Sequence, residues 1–544
     1  MKTLLLLSVF LLGDLFVKMS ACNFPAVARD SVASAWPGLT TGSVVPLWGS
    51  NFGHVPYPLE DVKMSLLLGI DLGTTKTTCI AVDSESGEIV ASVAIPTGGN
   101  ITSDEDRKLG RSEWAAEAVL RSGFDCLAEI IRAPAVEGRT VVSVGVTGQQ
   151  HGMVLVDSDL NPLTPLINWQ DQRGNELMPG RDVSWVEEAR NRCGDGSLKK
   201  LGCRLNSGFL GTTLFWLNQQ GRVPSNGRAC FIMDLFVAML TGCEVQTGPS
   251  VAASGGMMNV ATRDWDDDVL AGLECRREQL PAVREADCPA GFASQTVVEG
   301  LLSGVPVSVP IGDHQASFLG SVADRHSSIL LNIGTGAQVA VFTEGTDFSP
   351  PVELRPFPVQ GNLLSNVGLT GGWSFQVVEN FVRQLGIDIF GIEAEQPLYG
   401  RLTELAGQAD ADSQGLCCLP TFSGTRSDPR ETGSFAGMTP GNLTPANFAR
   451  SVLEGMAKNY RQALDQILEI TGQPTKPPTL VGAGNGLREN SALAEAVARR
   501  FGTAAVVTQH REEAAFGAAL VGGVAAGVFS SLDEAERLVR HQGL

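Results

Sequence analysis

Positive charge is scarce in this chain: 40 Lys plus Arg stand against 59 Asp plus Glu in 544 residues, a formal charge of −19. That excess excludes a broad attraction to nucleic acid or to an anionic membrane surface, because the field that dominates such binding is repulsive here. Zinc spacing is also missing. The 11 cysteines are scattered singly except for the neighbours Cys417 and Cys418, with no Cys-x-x-Cys pair, and a reducing compartment, the cytoplasm, is the simpler reading. Neither common nucleotide loop occurs: there is no Gly-x-x-x-x-Gly-Lys-Ser/Thr, and no Gly-x-Gly-x-x-Gly follows a strand. Any phosphate must be held by other local means.

No run spans a bilayer either. Leu4 to Leu12, between Lys2 and Asp14 and followed by Ser20 and Ala21, is too short to cross a membrane but resembles a secretory signal, which keeps a secretory or organellar location open. Residues 1–63 carry Lys2, Lys18, Arg29 and Lys63 against Asp14, Asp30, Glu60 and Asp61, so the whole −19 sits on residues 64–544. The stretch from Asn23 to Lys63 is rich in Gly, Pro and Ser without helical or strand period. Residues 1–63 are therefore read as a leader or non-native extension, with Met64 as a sensible start.

From Ser65 the chain has order. Leu66 to Asp71 is an apolar run ended by a turn, and Thr77 to Val82 resumes in β-prone residues, so Gly73-Thr74-Thr75-Lys76 joins a hairpin. The pattern returns at Ile329 to Ile333, Gly334-Thr335-Gly336 and Gln338 to Phe342. Two hairpins of one design imply duplicated domains. Strand runs at Val141 to Val146 and Val305 to Ile311 and a long helix over 444–471, with Thr444 as cap and Gly472 as stop, complete an α/β architecture.

Phosphate oxygens need backbone N–H groups that approach closely, with hydroxyls to finish the shell. Gly73-Thr74-Thr75 and Gly334-Thr335-Gly336 offer both, although one such hairpin alone is an ordinary tight turn. Asp71 ends the strand before the first loop. A carboxylate beside a triphosphate repels it unless a cation lies between, so Asp71 implies magnesium, held through water. A third cluster, Gly482-Ala483-Gly484-Asn485-Gly486, leads into a helix capped by Asn490; it suits a flat base lying on the backbone and equally a plain strand-to-helix turn. Asp313 follows the strand 305–311 and precedes a helix start. It serves as a routine N-cap or as the carboxylate that accepts the proton of an attacking hydroxyl. Gln149-Gln150-His151-Gly152, Asn168-Trp169-Gln170-Asp171-Gln172-Arg173 and Asp234 carry the amides, carboxylates and aromatic face that polyols require. His151 as a structural histidine and Trp169 as a core residue are the plainer alternatives.

In this order the pieces resemble the FGGY family of carbohydrate kinases over about Leu66 to Gly523. The most specific part is Gly433-Ser434-Phe435-Ala436-Gly437-Met438 followed after eight residues by Asn447 to Glu454, and Glu513 to Leu520 is also typical. The Phe215-Trp216-Leu217 end of a first signature matches, whereas Leu210 and Thr213 depart from it. Val146 to Gly152, Asn168 to Arg173, Gly211 to Leu217, Ile311 to Ser317 and Gly482 to Leu487 are most similar to the motifs of its sedoheptulokinase members. The resemblance implies two ribonuclease-H-like domains of the actin-like ATPase type, 65–320 for sugar and 326–544 for nucleotide, with the cleft between them. It further implies Asp313 as catalytic base and sugar contact, and Asp71 in the magnesium shell. Gly73, Thr74, Thr75, Lys76, Gly334, Thr335 and Gly336 would hold the ATP phosphates, and Gly482, Gly484, Asn485 and Asn490 would face adenine. Gln150, His151, Trp169, Asp171, Arg173 and Asp234 would hold the sugar. Gln150 departs from the Met-His pair of xylulokinase-like members, and Thr78 stands where glycerol kinases carry an arginine. The implied reaction is ATP-dependent phosphorylation of a ketose at its terminal hydroxyl, sedoheptulose to its 7-phosphate. Rival readings are another sugar or polyol kinase of the family, an actin-like or chaperone-like ATPase, and a secreted sugar-binding protein. Partners are sugar and ATP, with no nucleic acid and no membrane; monomer or homodimer stays open.

Overall fold

A computed structural model describes residues 65–194, 196–422, 424–425, 430–472 and 478–544. The expected leader 1–63 and the start at Met64 lie outside them.

The run that begins the ordered chain is β1 (Ser65–Leu72), whose residues 66–70 are buried on both faces, as a continuous apolar strand requires. It turns into antiparallel β2 (Lys76–Asp83), then β3 (Ile89–Pro96), whose half-exposed pattern marks a sheet edge. Helix α1 (Ala116–Ile131) buries Val119, Cys126, Leu127 and Ile130 and leads to β4 (Thr140–Gly148), which lies parallel to β1. Later come β5 (Pro289–Phe292), β6 (Pro306–Ser308) and β7 (Ile311–Gly312). The sheet runs β5-β6-β4-β1-β2-β3, with β7 paired to the far end of β4. The run expected as one strand over 305–311 is thus two. Pro310 has no N–H to continue a ladder, and the chain steps there before resuming beside β4. Helix α2 (Asp313–Ser321) follows directly.

The second half repeats the scheme with β8 (Ser328–Ile333), β9 (Gly336–Thr343), β10 (Glu353–Pro356), β11 (Asn362–Thr370), β12 (Thr479–Ala483), β13 (Val506–Thr508) and β14 (His541–Gly543), ordered β10-β11-β9-β8-β12-β13-β14. Hairpin β8–β9 is antiparallel, β11 adds antiparallel to β9, and β12 lies parallel to β8, as β3 and β4 do around the first hairpin. Between β11 and β12 lie α3 (Gly372–Phe390) and α4 (Pro445–Thr471); α5 (Ser491–Phe501) and α6 (Glu513–Ala525) follow β12 and β13. In α4, Thr444 accepts from the Asn447 N–H, Gly472 closes the end, and Val452, Met456, Tyr460, Leu464 and Ile467 are buried.

Helix α6 comes from the second half but lies on the first sheet. Backbone meets backbone there: a Cβ on Gly145 of β4 would stand 1.7 Å from the Ala518 carbonyl oxygen, one on Gly69 of β1 1.9 Å from that of Ala515, and one on Gly517 2.0 Å from that of Ala316 in α2. Glycine at these points lets α6 seat closely, and its first turn then sits by the ends of β1 and α2. No helix among the described residues is long and apolar enough to cross a membrane.

Candidate active site

The parallel pairing of β1, β4 and β7 sets the centre of the site. Asp71 is in register with Thr147 of β4, and Ile311 pairs with the same Thr147 from the other edge, so Asp71 and the start of α2 reach the same end of the sheet. Gly312 occupies the N-cap position and Asp313 the first helical one. Asp313 Oδ1 accepts the His314 N–H at 2.8 Å, and no described cation forms an ion pair with its carboxyl. Burial lifts Asp313 to about 6 against the opposing pull of those amides. Asp71 rises to about 7, through burial first, then the charges of Asp313 and Glu512, with Lys76 opposing. The charge of Asp313 thus helps to raise Asp71, and neither carboxyl forms an ion pair with a described residue; carboxylate oxygens of this kind suit a hard divalent ion such as magnesium.

Both face a cavity of about 950 Å³ that is also lined by Gln150, His151, Trp169, Phe209, His314, Arg355 and the turn Gly334-Thr335-Gly336. The first hairpin is braced from behind, the Thr97 hydroxyl donating to the Gly73 carbonyl at 2.8 Å. Lys76 is turned to Glu512, 3.0 Å away, the residue just before α6. Trp169 is 45% exposed, so it is a wall of the cavity and not core, and its Nε1–H donates to Thr74 Oγ1 at 3.0 Å. The second hairpin closes on itself through Gly334 N–H to Gly336 O. Its carbonyls at Gly334 and Thr335 then accept the first amides of α3, from Gly372 and Trp373. A Cβ on Gly371 would stand 2.4 Å from Gly336, so the glycine pair before α3 belongs to this turn. That partnership had no local signal in the sequence.

Gly482 and Gly484 form the expected strand-to-helix turn. Gly484 has φ +71°, and a Cβ there would meet the Ile333 carbonyl at 2.6 Å, which places the turn against the end of β8. Asn485 opens the short helix Asn485–Glu489. Asn490 is fully buried and spent: its Oδ1 caps α5 through the Leu493 N–H, and its Nδ2 donates to the Tyr399 hydroxyl.

Gln150 lies against Gly312, the residue before Asp313. Its Nε2 donates to the Ser250 carbonyl at 2.9 Å, and a Cβ on Gly312 would collide with it at 2.0 Å. His151 has φ +76° and stacks on Phe209 with centroids 4.3 Å apart. Its Nδ1 lies 2.8 Å from the Ser254 carbonyl, which can only accept, so Nδ1 carries a proton.

Asp171, Arg173 and Asp234 are not brought to the cavity. Asp171 is fully buried and takes Arg173 bidentately and the Ser112 N–H, while Arg173 also reaches Glu113 and lies over Trp216. Asp234, fully buried, accepts the Phe231 N–H at the start of its own helix, and burial pushes its carboxyl well up. The Gly433 and Asn447 signature likewise braces the fold: Arg450, fully buried in α4, pairs with Glu454 and with Glu495 of α5. Sequence reasoning missed His314, which follows Asp313 within the Ile311 to Ser317 run, and Arg190, Arg204 and Arg355, which line the cavity from segments that carry no motif.

The sequence profile of the FGGY family of carbohydrate kinases matches twice, its N-terminal domain over residues 66–320 and its C-terminal domain over 330–526. A glycerol kinase of Thermus brockianus is 28% identical over 86% of this chain and 91% of its own. Sedoheptulokinase of Homo sapiens is 28% identical over 84% and 97%, and a xylulose kinase of Haemophilus influenzae 25% identical over 84% and 90%. Among solved structures, a gluconate kinase from Lactobacillus acidophilus superposes with a TM-score of 0.75 at 23% identity, covering 88% of this chain and 93% of that one.

Proposed function

The chain belongs to the FGGY family of carbohydrate kinases, phosphotransferases with an alcohol acceptor, and on that premise we propose that it phosphorylates the terminal hydroxyl of a ketose, sedoheptulose at O7. The observation that carries the reading is Asp313: a carboxylate at a strand end, facing the cavity without a cation partner and held near 6. Such a group is ionised at neutral pH and basic enough to take a proton from a hydroxyl as its oxygen attacks. The sugar oxygen–γ-phosphorus bond forms, the bond to the β–γ bridging oxygen breaks, the hydroxyl proton passes to Asp313, and ADP leaves.

His151 Nε2 and the Trp169 face would orient the sugar, and the amides and hydroxyls of the two hairpins would hold the triphosphate. Magnesium beside Asp71 would neutralise phosphate charge when bound. The halves 65–320 and 326–544 would close on the cavity and keep water from the phosphoryl group. Sedoheptulose as substrate is supported by the Gln149 to Gly152, Asn168 to Arg173 and Ile311 to Ser317 runs and by the relative of that name. The scattered cysteines, without paired spacing, support a reducing, cytoplasmic location. ADP release measured over sedoheptulose, xylulose, other ketoses, aldoses and glycerol tests the proposal. Sedoheptulose should give the highest kcat/KM; turnover of xylulose or glycerol with none of sedoheptulose overturns the substrate assignment.

A further inference from the structure

One wall of the cavity is cationic in a chain with 19 more acids than bases. Arg190 and Arg204 both line it, together with Asn206, Ser207 and Phe209, and Phe209 carries the stacked His151 ring. The wall is therefore continuous with the sugar side of the site. The buried arginines elsewhere have carboxylate partners: Arg173 has Asp171, Arg325 has Glu536, Arg355 has Glu353 and Arg450 has Glu454. Arg190 has neutral ones. Its guanidinium donates to the Leu205 carbonyl and to Asn206 Oδ1, 3.0 Å away. The carboxylate whose charge it feels, Glu187, is turned to Ser184 and accepts from its hydroxyl at 2.7 Å. Burial and then the charge of Arg204 push Arg190 down to about 10. Arg204 is exposed to the cavity and forms no ion pair with a described residue. Two cations that repel one another, with Glu187 near them but turned to Ser184 and in ion-pair contact with neither, bind an anion with less opposing desolvation than a paired arginine does.

We propose that Arg190 and Arg204 form an anion subsite at the sugar end of the cavity, so that the enzyme takes an anionic sugar in addition to the neutral ketose. This rests on the sugar-kinase reading and adds a substrate class to it. The anion is a carboxylate or a phosphate on the polyol, and the transfer to the free terminal hydroxyl is the one already written.

The test uses the full chain with D-gluconate as the carboxylate probe and D-fructose 1-phosphate as the phosphate probe, each as substrate and as competitor of sedoheptulose. At least one should be phosphorylated or compete with the ketose, and which one does identifies the anion. Arg204→Gln, at an exposed position, and Arg190→Gln should each raise its KM or Ki about tenfold or more while moving the sedoheptulose KM less. Absence of turnover and competition by both probes, with the neutral sugar still phosphorylated, overturns the subsite. So does an equal loss for neutral and anionic sugars in Arg204→Gln. If no sugar of any kind is phosphorylated, the sugar-kinase reading itself has failed, a result distinct from either of these.

Discussion

Asp71 and Asp313 flank one point of one strand: Thr147 of β4 is in register with Asp71 on one edge and with Ile311, two residues before Asp313, on the other. The Thr147 hydroxyl donates to the Ile311 carbonyl at 2.8 Å and pins the second strand at that register. Two carboxylates distant in sequence are thus set side by side by sheet pairing alone. The charge of Asp313 is part of what lifts Asp71, after burial.

Asp313→Asn keeps an oxygen for the His314 amide and the size of the side chain but removes the proton acceptor. Turnover should fall by about 10²- to 10⁴-fold, the usual worth of a positioned base, with sugar affinity within a fewfold of the parent. Steady-state ADP release and calorimetric titration of sugar check the two halves separately. Full turnover in this variant removes Asp313 from its role.

The pH profile follows from the same group. A base must be ionised, so kcat/KM should decline as pH falls through about 6. A profile flat from pH 8 to 5 would show that no carboxylate of raised pKa limits the reaction.

Stability should run the opposite way to activity. Asp71 and Asp313 hold protons in the folded state up to about 7 and 6, against the ordinary value of 3.8 in the unfolded chain. Between about pH 4 and 7 the folded state therefore binds more protons, and stability is lost as pH rises through that window. Asp71→Asn should then raise the thermal midpoint of the nucleotide-free protein at pH 7.5, by about 1–3 kcal/mol of stability, with the gain shrinking toward pH 4. A lower midpoint at pH 7.5 would mean that the carboxylate is compensated.

How much of this was legible depended on how local the signal is. β1, both Gly-Thr hairpins, Asp71 and Asp313 are carried by short runs in which strand, turn and candidate residue are adjacent; Asp71, Asp313 and the second hairpin line the cavity, while the first hairpin touches its wall through the Trp169 bond to Thr74. Asp171 and Arg173 look equally like sugar ligands in sequence. Their fate is decided by Ser112 and Glu113, about 60 residues earlier, which enclose them with Trp216. The arginines at 190, 204 and 355 come from a helix end, a loop and an edge strand, and a pattern confined to one segment cannot bring them together. Pro310 was visible, but only the arrival of β7 beside β4 shows that it divides a strand.

Trp169 joins the cavity wall to the first hairpin, proposed to hold phosphate, through its bond to Thr74. Trp169→Phe keeps an aromatic face and deletes the donor, leaving the Thr74 hydroxyl with its bond to Gln149 Oε1 at 3.4 Å. The ATP KM should rise about 2- to 10-fold, the range of one hydrogen bond, with a smaller effect on sugar. A change confined to the sugar KM would show that the bond does not position the hairpin.

The seat of α6 can be tested at Gly145, because the closest of its contacts is backbone on backbone. A Cβ there would lie 1.7 Å from the Ala518 carbonyl, and neither strand nor helix can yield without moving the other. Gly145→Ala should destabilise by about 1–3 kcal/mol or more, the range of an overpacked core. Turnover should fall with it, since α6 begins beside Glu512 and Ala514 at the cavity. Gly407→Ala is the contrast: it lies in the helix Tyr399–Gln408 with open space where a Cβ would go, and should be neutral or stabilising by up to about 1 kcal/mol. Thermal midpoints and ADP release on both variants decide it. If Gly145→Ala matched the parent in both, the approach of α6 to β4 would be looser than described, and the first turn of α6 would have no part in holding the site.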